Sequence, residues 1–462
     1  MSYNVREHSY VVGGLGVTGQ ACVRFLLQHQ ASVKAFDTRE QLSLPDDLAQ
    51  TMKDSVTTAE LTKSYFDGVD TLVLSPGLAA DIAQVRLAKS CGVEVIGDVE
   101  LFARLNRNLA SPKKVVGITG SNGKTTVTLL TNHLLNACGI RSIEAGNVGR
   151  PVLEALESDA DVIVMELSSF QLETTSSLLL ETATVLNISD DHLDRHGTLE
   201  NYINAKHRIF DNAASAVVWR DGEFVAPDTD AEQSMSHIVE YGLGESETGF
   251  AVASIEGVDT LVYNSTPLIK LDAIPLAGTH NVLNVMASLA ICCELGVQPQ
   301  TAIEHLASFK SAPHRCVEIA NENEVRFIDD SKATNIGATV AALEGLGAST
   351  QGRLILIAGG DAKGADMQSL APYLEKYVAH VFAIGKDAPQ IAAVFTRTSQ
   401  CHSMQDAVQG AIALAEKGDV VLLSPACASI DMFKNYMHRG EVFKHAVESA
   451  LAVDNEAQKV VS

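Results

Sequence analysis

The run Val116-Gly117-Ile118-Thr119-Gly120-Ser121-Asn122-Gly123-Lys124-Thr125-Thr126 joins an apolar strand, a glycine-rich turn and the start of a helix. That order of elements suits the phosphates of a nucleotide. Gly120 and Gly123 let backbone N–H groups approach anionic oxygens, the helix N-terminus presents its positive end, Lys124 adds a point charge, and Thr125 offers a hydroxyl to Mg²⁺. A helix should follow, with Val127, Leu130, Leu134 and Ala137 on one face and Gly139 as its stop. The usual phosphate-loop spacing requires a glycine at 118, where this chain has isoleucine. ATP is the expected ligand.

Further polar groups follow in the same part of the chain. Asp161-Val162-Ile163-Val164-Met165-Glu166 reads as a buried strand ending in a carboxylate, either a Mg²⁺ ligand beside the phosphate loop or simply an acidic strand end. The strand Ala183–Ile188 runs into Ser189-Asp190-Asp191-His192-Leu193-Asp194-Arg195-His196, a cluster that suits metal or phosphate ligation and equally a solvated capping loop. In Tyr202-Ile203-Asn204-Ala205-Lys206-His207-Arg208-Ile209-Phe210, helical spacing turns Lys206 to the same face as Tyr202, Ile203, Ile209 and Phe210. An inward ammonium must snorkel, pair with a carboxylate, lose its proton or be modified.

Two flanking regions carry strand-end loops. Near the start, Gly14, Gly16 and Gly19 form G-x-G-x-x-G between a strand and a helix, and Asp37 ends the next strand. This would suit a nicotinamide dinucleotide, the diphosphate of another nucleotide, or a plain strand–helix turn. Ser75-Pro76-Gly77 closes a third strand at the same carboxyl edge. Toward the end, strands lead into Asp329-Asp330-Ser331-Lys332-Ala333-Thr334-Asn335, Gly359-Gly360-Asp361-Ala362-Lys363-Gly364 and Ser424-Pro425-Ala426-Cys427-Ala428-Ser429. Lysines gathered at such an edge point to an anionic ligand, with solvated loop lysines as the alternative.

Positioning these residues needs parallel sheets covered by helices, which the alternation of hydrophobic and amphipathic stretches provides almost throughout. A length of 462 residues suggests about three domains. Polar joints at 106–114 and 311–315 place them at 1–108, 109–312 and 313–462. The expected class is α/β: a Rossmann-like N-terminal domain, a P-loop ATPase-like central domain and a Rossmann-like C-terminal domain. A net charge of −23 without clustered Lys and Arg argues against nucleic-acid or anionic-membrane binding. Cysteines 22, 91, 138, 292, 293, 316, 401 and 427 form no C-x-x-C pair, so reduced thiols are expected and no structural metal. Residues Met1–His8 lack a basic start and an apolar run, and no stretch approaches a membrane span, so a cytoplasmic location is expected.

The phosphate loop, Glu166-Leu167-Ser168-Ser169-Phe170-Gln171-Leu172-Glu173, Asp191-His192-Leu193-Asp194-Arg195, His280-Asn281-Val282-Leu283-Asn284, Asp330–Asn335 and Ser424–Ser429 together resemble the Mur ligases over essentially the whole chain. The Glu166 block and the last two blocks resemble the D-glutamate-adding branch. The resemblance also accounts for the displaced glycine, since the family's phosphate loop is one residue longer. It implies that ATP phosphorylates the carboxylate of UDP-N-acetylmuramoyl-L-alanine. D-Glutamate then attacks the acyl phosphate through a tetrahedral intermediate, in peptidoglycan precursor synthesis.

By motif position, the resemblance assigns ATP to Gly120, Ser121, Asn122, Gly123, Lys124, Thr125, Thr126, Asn281, Asn284, Arg315, Asp330 and Lys332. Two Mg²⁺ ions are implied, with Thr125 and Glu166 on one, and His192 and Lys206 serving the other. Lys206 matches a lysine that the family carries as a carbamate, which would resolve the inward ammonium. Lys124, His192 and Lys206 are the implied catalytic residues. The UDP precursor falls to Val17, Thr18, Asp37, Thr38, Ser75, Gly77, Asn147 and His192, so the first glycine loop is reassigned from NAD to UDP. Glutamate falls to Thr334, Lys363, Ser429 and Tyr436, where some relatives have phenylalanine at the last position. Domain closure would complete the site, and a monomer is expected. The rivals are a sister Mur ligase, which should carry other third-domain motifs, a folylpolyglutamate synthase, which would lack the first domain, a Rossmann dehydrogenase, which leaves Lys124 and Lys206 without a role, and a nucleotide-binding regulator that turns nothing over.

Overall fold

A computed structural model of the protein describes residues 4–461 except 277, 311, 312, 348, 349 and 351, with side chains described as far as 452. The first sheet holds β1 (Ser9–Gly13), β2 (Ser32–Phe36), β3 (Val56–Thr57), β4 (Thr71–Leu74) and β5 (Glu94–Gly97), all parallel in the order β3-β2-β1-β4-β5. Strands β1 and β4 are almost wholly buried, which is why they read as continuous apolar runs. Gly19 is required where it stands. A Cβ there would lie 1.8 Å from Gly14 O, so only glycine lets the Val17–Gln28 helix approach β1.

The second sheet is built from β6 (Lys114–Thr119), β7 (Ser142–Gly146), β8 (Val162–Glu166), β9 (Thr182–Val185), β10 (Ser215–Trp219), β11 (His237–Tyr241), β12 (Phe250–Ile255), β13 (Val258–Tyr263) and β14 (Thr266–Lys270). Its order is β14-β13-β12-β11-β10-β9-β6-β8-β7. The parallel pattern expected almost throughout fails at its far edge, where β12–β13 and β13–β14 pair antiparallel. Two-residue turns explain this, because Glu256-Gly257 and Asn264-Ser265 have positive φ at both positions, the twist that closes tight hairpins. The joint at 106–114 is fastened rather than loose: the Asn106 side chain donates to Lys113 O at 2.9 Å and accepts from Lys113 N at 2.9 Å.

The third sheet comprises β15 (Val317–Glu322), β16 (Val325–Asp329), β17 (Leu354–Gly359), β18 (Val378–Ile384), β19 (Thr398–Gln400) and β20 (Val420–Leu423), in the order β15-β16-β20-β17-β18-β19. It is parallel except for the β15–β16 hairpin. Compactness divides the chain into two units. The first, 1–188 with 200–273 and 283–309, contains the first two sheets; the second, 189–199 with 274–282 and 310–462, contains the third. Of the second expected joint, 311–312 lies outside the described residues. All eight cysteines are free thiols. No described helix is long and apolar enough to cross a membrane.

Candidate active site

In the first unit the chain leaves β6 at Thr119 and turns through Gly120 (φ +150°) and Gly123 (φ +83°) into the helix Lys124–Ala137. Both glycines are sterically fixed. A Cβ on Gly123 would lie 2.6 Å from Asn284 Oδ1, and one on Gly120 would meet Leu186 Cβ at 3.1 Å. Ser121 N donates to Asn187 O at 2.8 Å and Asn122 N to Asn187 Oδ1 at 2.8 Å, while Asn187 Nδ2 returns a bond to Asn122 O at 3.0 Å. Asn187 thus braces the loop, a role the motif reading missed although the residue follows the strand beside β6. Lys124 Nζ folds back to Gly120 O at 2.7 Å and Ser121 O at 2.9 Å. Thr125 and Thr126 are buried in the first turn. Val127, Leu130 and Leu134 are buried as their spacing required, but Ala137 is exposed, because the helix runs into solvent before Gly139 (φ +84°) ends it.

Strand β8 lies beside β6 and brings Glu166 to the edge from which the phosphate loop springs. Its carboxylate is fully buried. Oε1 accepts from Asn147 Nδ2 at 2.7 Å, whereas Oε2 has no hydrogen-bond partner among the described residues. A buried, unbonded carboxylate oxygen is costly unless a cation satisfies it. With the Thr125 hydroxyl it offers the hard oxygen donors that Mg²⁺ prefers. Among the described residues no group of three or more His, Cys, Asp or Glu is assembled for a metal, so such a site would draw on these oxygens and on phosphate.

Lys206 is fully buried in the helix Leu199–His207, facing inward with Tyr202 as helical spacing required, so it does not snorkel. Its Nζ donates to Gly120 O at 2.8 Å and to Thr119 Oγ1 at 3.3 Å, and sits 4.6 Å from the Tyr202 ring centroid. The lysine therefore touches the loop that would hold phosphate. Tyr202 Oη and Ser121 Oγ lie 3.2 Å apart, tying the same helix to that loop.

At the first sheet, Val17, Asp37, Thr38, Ser75 and Gly77 follow β1, β2 and β4, three adjacent strands, and so share one carboxyl edge. Thr18 is in the first turn of the helix after β1. Asp37 is buried and its oxygens are engaged: Leu15 N donates at 2.7 Å, and Arg39 donates through Nε at 2.8 Å and Nη2 at 2.7 Å. The Arg39 guanidinium is the main reason its pKa is held down at about 2. Arg39 was not among the expected residues, although its position two beyond Asp37 was a usable signal.

In the second unit the loops after β16, β20 and β17, again adjacent strands, hold Thr334, Ser429 and Lys363, and Tyr436 opens the last helix. Lys363, at φ +54°, ion-pairs with Asp191, to which Asn335 Nδ2 also donates at 3.1 Å. Burial pushes the Asp191 pKa up, but Lys363 and His192 outweigh it and leave the carboxylate below its usual range. His192, also left-handed at φ +54°, places Nε2 3.7 Å from Asp191 Oδ2. Segment 189–199 belongs with this unit, so His192 stands with Lys363 here.

Asp330 is fully buried, and that burial lifts its pKa to about 7 even though Ser424 Oγ donates to Oδ2 at 2.8 Å. Lys332 Nζ stands 4.0 Å from the Tyr436 ring centroid. Arg315 acts electrostatically on Asp330 and on His280, whose pKa burial and then Arg315 hold down. Asn281 falls in this unit and Asn284 in the first. Arg439, also not anticipated, is fully buried. It donates to Ser331 Oγ at 3.0 Å, Ser331 O at 2.7 Å and Cys427 O at 2.9 Å, fixing two of these loops to each other.

Three domain families match the chain. The Mur ligase MurD-like N-terminal domain covers residues 8–97, the Mur ligase middle domain 118–292, and the Mur ligase glutamate ligase domain 314–427. The chain is 40% identical over 459 residues to the UDP-N-acetylmuramoylalanine--D-glutamate ligase of Shewanella violacea, covering 98% of each chain. It is 40% identical over 452 residues to the enzyme of that name from Acinetobacter baylyi, covering 95% of this chain and 98% of the relative. Among solved structures, the UDP-N-acetylmuramate-alanine ligase MurC of Thermotoga maritima superposes with a TM-score of 0.64 at 15% identity, over 96% of this chain and all of that one. MurF from Thermotoga maritima, solved in complex with ADP, gives 0.61 at 17% identity over 98% of this chain. These distant structures share the three-domain α/β fold, and the near-full-length relatives decide the family: the protein belongs to the Mur ligases.

Proposed function

We propose that the protein is the ATP-dependent ligase that joins D-glutamate to UDP-N-acetylmuramoyl-L-alanine in peptidoglycan precursor synthesis. Identity of 40% over nearly the full length of enzymes with that name carries the reading. A partly buried phosphate loop opening into a helix, bordered by a half-bonded glutamate, supports the use of ATP and Mg²⁺.

The chemistry explains the parts. A free carboxylate does not accept an amine, because oxide is a poor leaving group. Transfer of the γ-phosphoryl group of ATP to a carboxylate oxygen gives ADP and an acyl phosphate. The amine of D-glutamate then adds to the carbonyl, and the tetrahedral intermediate expels phosphate as the amide forms and the amine gives up its protons. Two Mg²⁺ ions would offset the charge that accumulates as these anions meet. Thr125 and Glu166 would hold one ion, while a carbamate on Lys206, together with His192, would serve the other.

Lys124 would leave the loop carbonyls it now caps and contact the ATP phosphates, beside the backbone N–H groups of residues 120–126. Asn284 is assigned to ATP in the first unit, and Asn281, Arg315, Asp330 and Lys332 in the second. Asn147 would lie near the substrate carboxylate. Val17, Thr18, Asp37, Thr38, Ser75 and Gly77 would hold the UDP portion, with His192 also near the precursor, and Thr334, Lys363, Ser429 and Tyr436 would hold D-glutamate. The domain limits we propose remain 1–108, 109–312 and 313–462, in a cytoplasmic monomer. A test of the acyl phosphate uses precursor labelled with ¹⁸O in its carboxylate. One label should appear in the released phosphate, and phosphate free of label would rule the intermediate out.

A further inference from the structure

Glu100 is almost fully buried, yet none of the chemistry above uses it. It lies in the first turn of the helix Asp98–Arg107, which follows β5 and closes the first sheet. Of its four donors, one is Arg104 in the same helix and the other three, on Ser176 and Ser177, lie among the elements of the second sheet. Oε2 accepts from Ser176 N at 2.8 Å and Ser177 N at 2.8 Å, and Oε1 accepts from Ser177 Oγ at 2.8 Å and from Arg104 Nε at 3.0 Å. Burial alone would raise the Glu100 pKa, but these donors outweigh it and hold the group below its usual range, so the clamp is a charged one.

The clamped turn is placed to transmit position. It begins eight residues beyond Glu166, after a short helix opened by a Ser168–Gln171 capping box. The end of β5 and the helix after it grip the turn at two further points. Gly97 N donates to Thr174 O at 3.2 Å, where a Cβ on Gly97 would meet Thr174 Oγ1 at 2.3 Å, and Arg107 Nη2 donates to Ser177 O at 2.7 Å. Arg208, two residues after Lys206, donates through Nε to Leu172 O at 2.9 Å and through Nη2 to Thr175 O at 2.5 Å. One turn therefore ties the first sheet, the Glu166 strand and the Lys206 helix.

We propose that Glu100 is a positioning residue, which by clamping the Thr174–Ser177 turn fixes the first sheet at the reach from Glu166 and Lys206 that acyl transfer requires. The proposal rests on the reading that the first sheet holds the UDP end of the precursor while its carboxylate reacts at the second sheet. A substrate anchored at one end and attacked at the other is sensitive to small changes in the distance between the two.

The test measures KM and kcat for each substrate in full-length Glu100→Gln, Ser177→Ala and Glu100→Ala proteins, well below their unfolding temperatures. Glu100→Gln keeps one acceptor oxygen and Ser177→Ala removes a single donor, so both should fold. Glu100→Ala should raise KM for the precursor about 10-fold and lower kcat, with KM for ATP within about 2-fold, and the two milder variants should fall between it and wild type. A lower unfolding temperature with both KM values unchanged would overturn the proposal, as would an equal rise in both. If wild type fails to turn over the precursor, the functional reading fails and the clamp is judged by amide exchange instead. Glu100→Ala should then speed exchange in the helix Leu199–His207 as well as at Ser176 and Ser177, and faster exchange confined to those two amides would overturn it.

Discussion

Asn147 Nδ2 donates to Glu166 Oε1 at 2.7 Å, while Oε2 of the same buried carboxylate has no hydrogen bond among the described residues. On the proposed function, the amide would hold one oxygen while the other meets a cation. Glu166→Gln removes the charge and keeps the shape, so turnover at saturating Mg²⁺ should fall about 100-fold, with the Mg²⁺ concentration for half-maximal rate displaced upward. Titration of rate against Mg²⁺ reads both. A variant with an unchanged Mg²⁺ dependence would remove Glu166 from the metal site.

Lys206 is predicted to act as a carbamate. Lys206→Ala should lose at least about 100-fold in turnover, and wild type in CO₂-depleted buffer should lose activity that added bicarbonate restores. Carbon-13 bicarbonate should give a carbamate carbonyl signal in wild type that is missing from Lys206→Ala. An active, signal-free wild type would show that the ammonium itself, bonded to Gly120 O as seen here, is the working form.

The phosphate loop, the strand ending in Glu166 and the inward face of Lys206 were legible because each depends on short-range periodicity and burial, which a linear sequence displays. The three strand-end loops of the second unit were legible for the same reason. Asn187, Arg39 and Arg439 were not singled out. Asn187 and Arg439 act through partners far away in sequence, and a lone Asn or Arg carries no spacing signal. Arg39 lies only two residues from Asp37, but whether it would pair with that carboxylate or face solvent depended on the turn after β2. The β12–β14 meander was missed because its turns use Glu256 and Asn264-Ser265 in left-handed conformations, where only Gly257 announces itself. Ala137 was misplaced because helical spacing does not reveal where a helix leaves the core.

Lys363 should govern the amino-acid substrate rather than the nucleotide. Its ammonium now pairs with Asp191 and would exchange that carboxylate for one of the substrate's. Lys363→Met should raise KM for D-glutamate by about 10-fold or more while leaving KM for ATP within about 2-fold. Steady-state kinetics with each substrate varied in turn checks this, and a selective rise in KM for ATP would reassign the lysine.

Asp98 offers a test in stability alone. It is fully buried, Oδ1 has no hydrogen-bond partner among the described residues, and burial lifts its pKa from 3.8 to about 6 despite backbone N–H groups that favour the anion. Between those values the folded chain binds more protons than the unfolded one, so this group's contribution declines as pH rises from 3.8 to about 6 and is level above. Asp98→Asn should therefore gain on wild type across that interval, reaching about 3 kcal/mol at neutral pH. Urea unfolding at about pH 4 and about pH 7.5 measures the difference, which should be larger at the higher pH. An equal difference at both would show that Asp98 does not titrate there.

The most direct measurement is ATP-dependent phosphate release with UDP-N-acetylmuramoyl-L-alanine and Mg²⁺, run in parallel with D-glutamate, L-glutamate, L-alanine and meso-diaminopimelate. Release confined to D-glutamate, matched by one ADP per amide formed, is the predicted result. Release with a different amino acid in its place, or with none of the four, would contradict the assignment of this chain as the D-glutamate ligase.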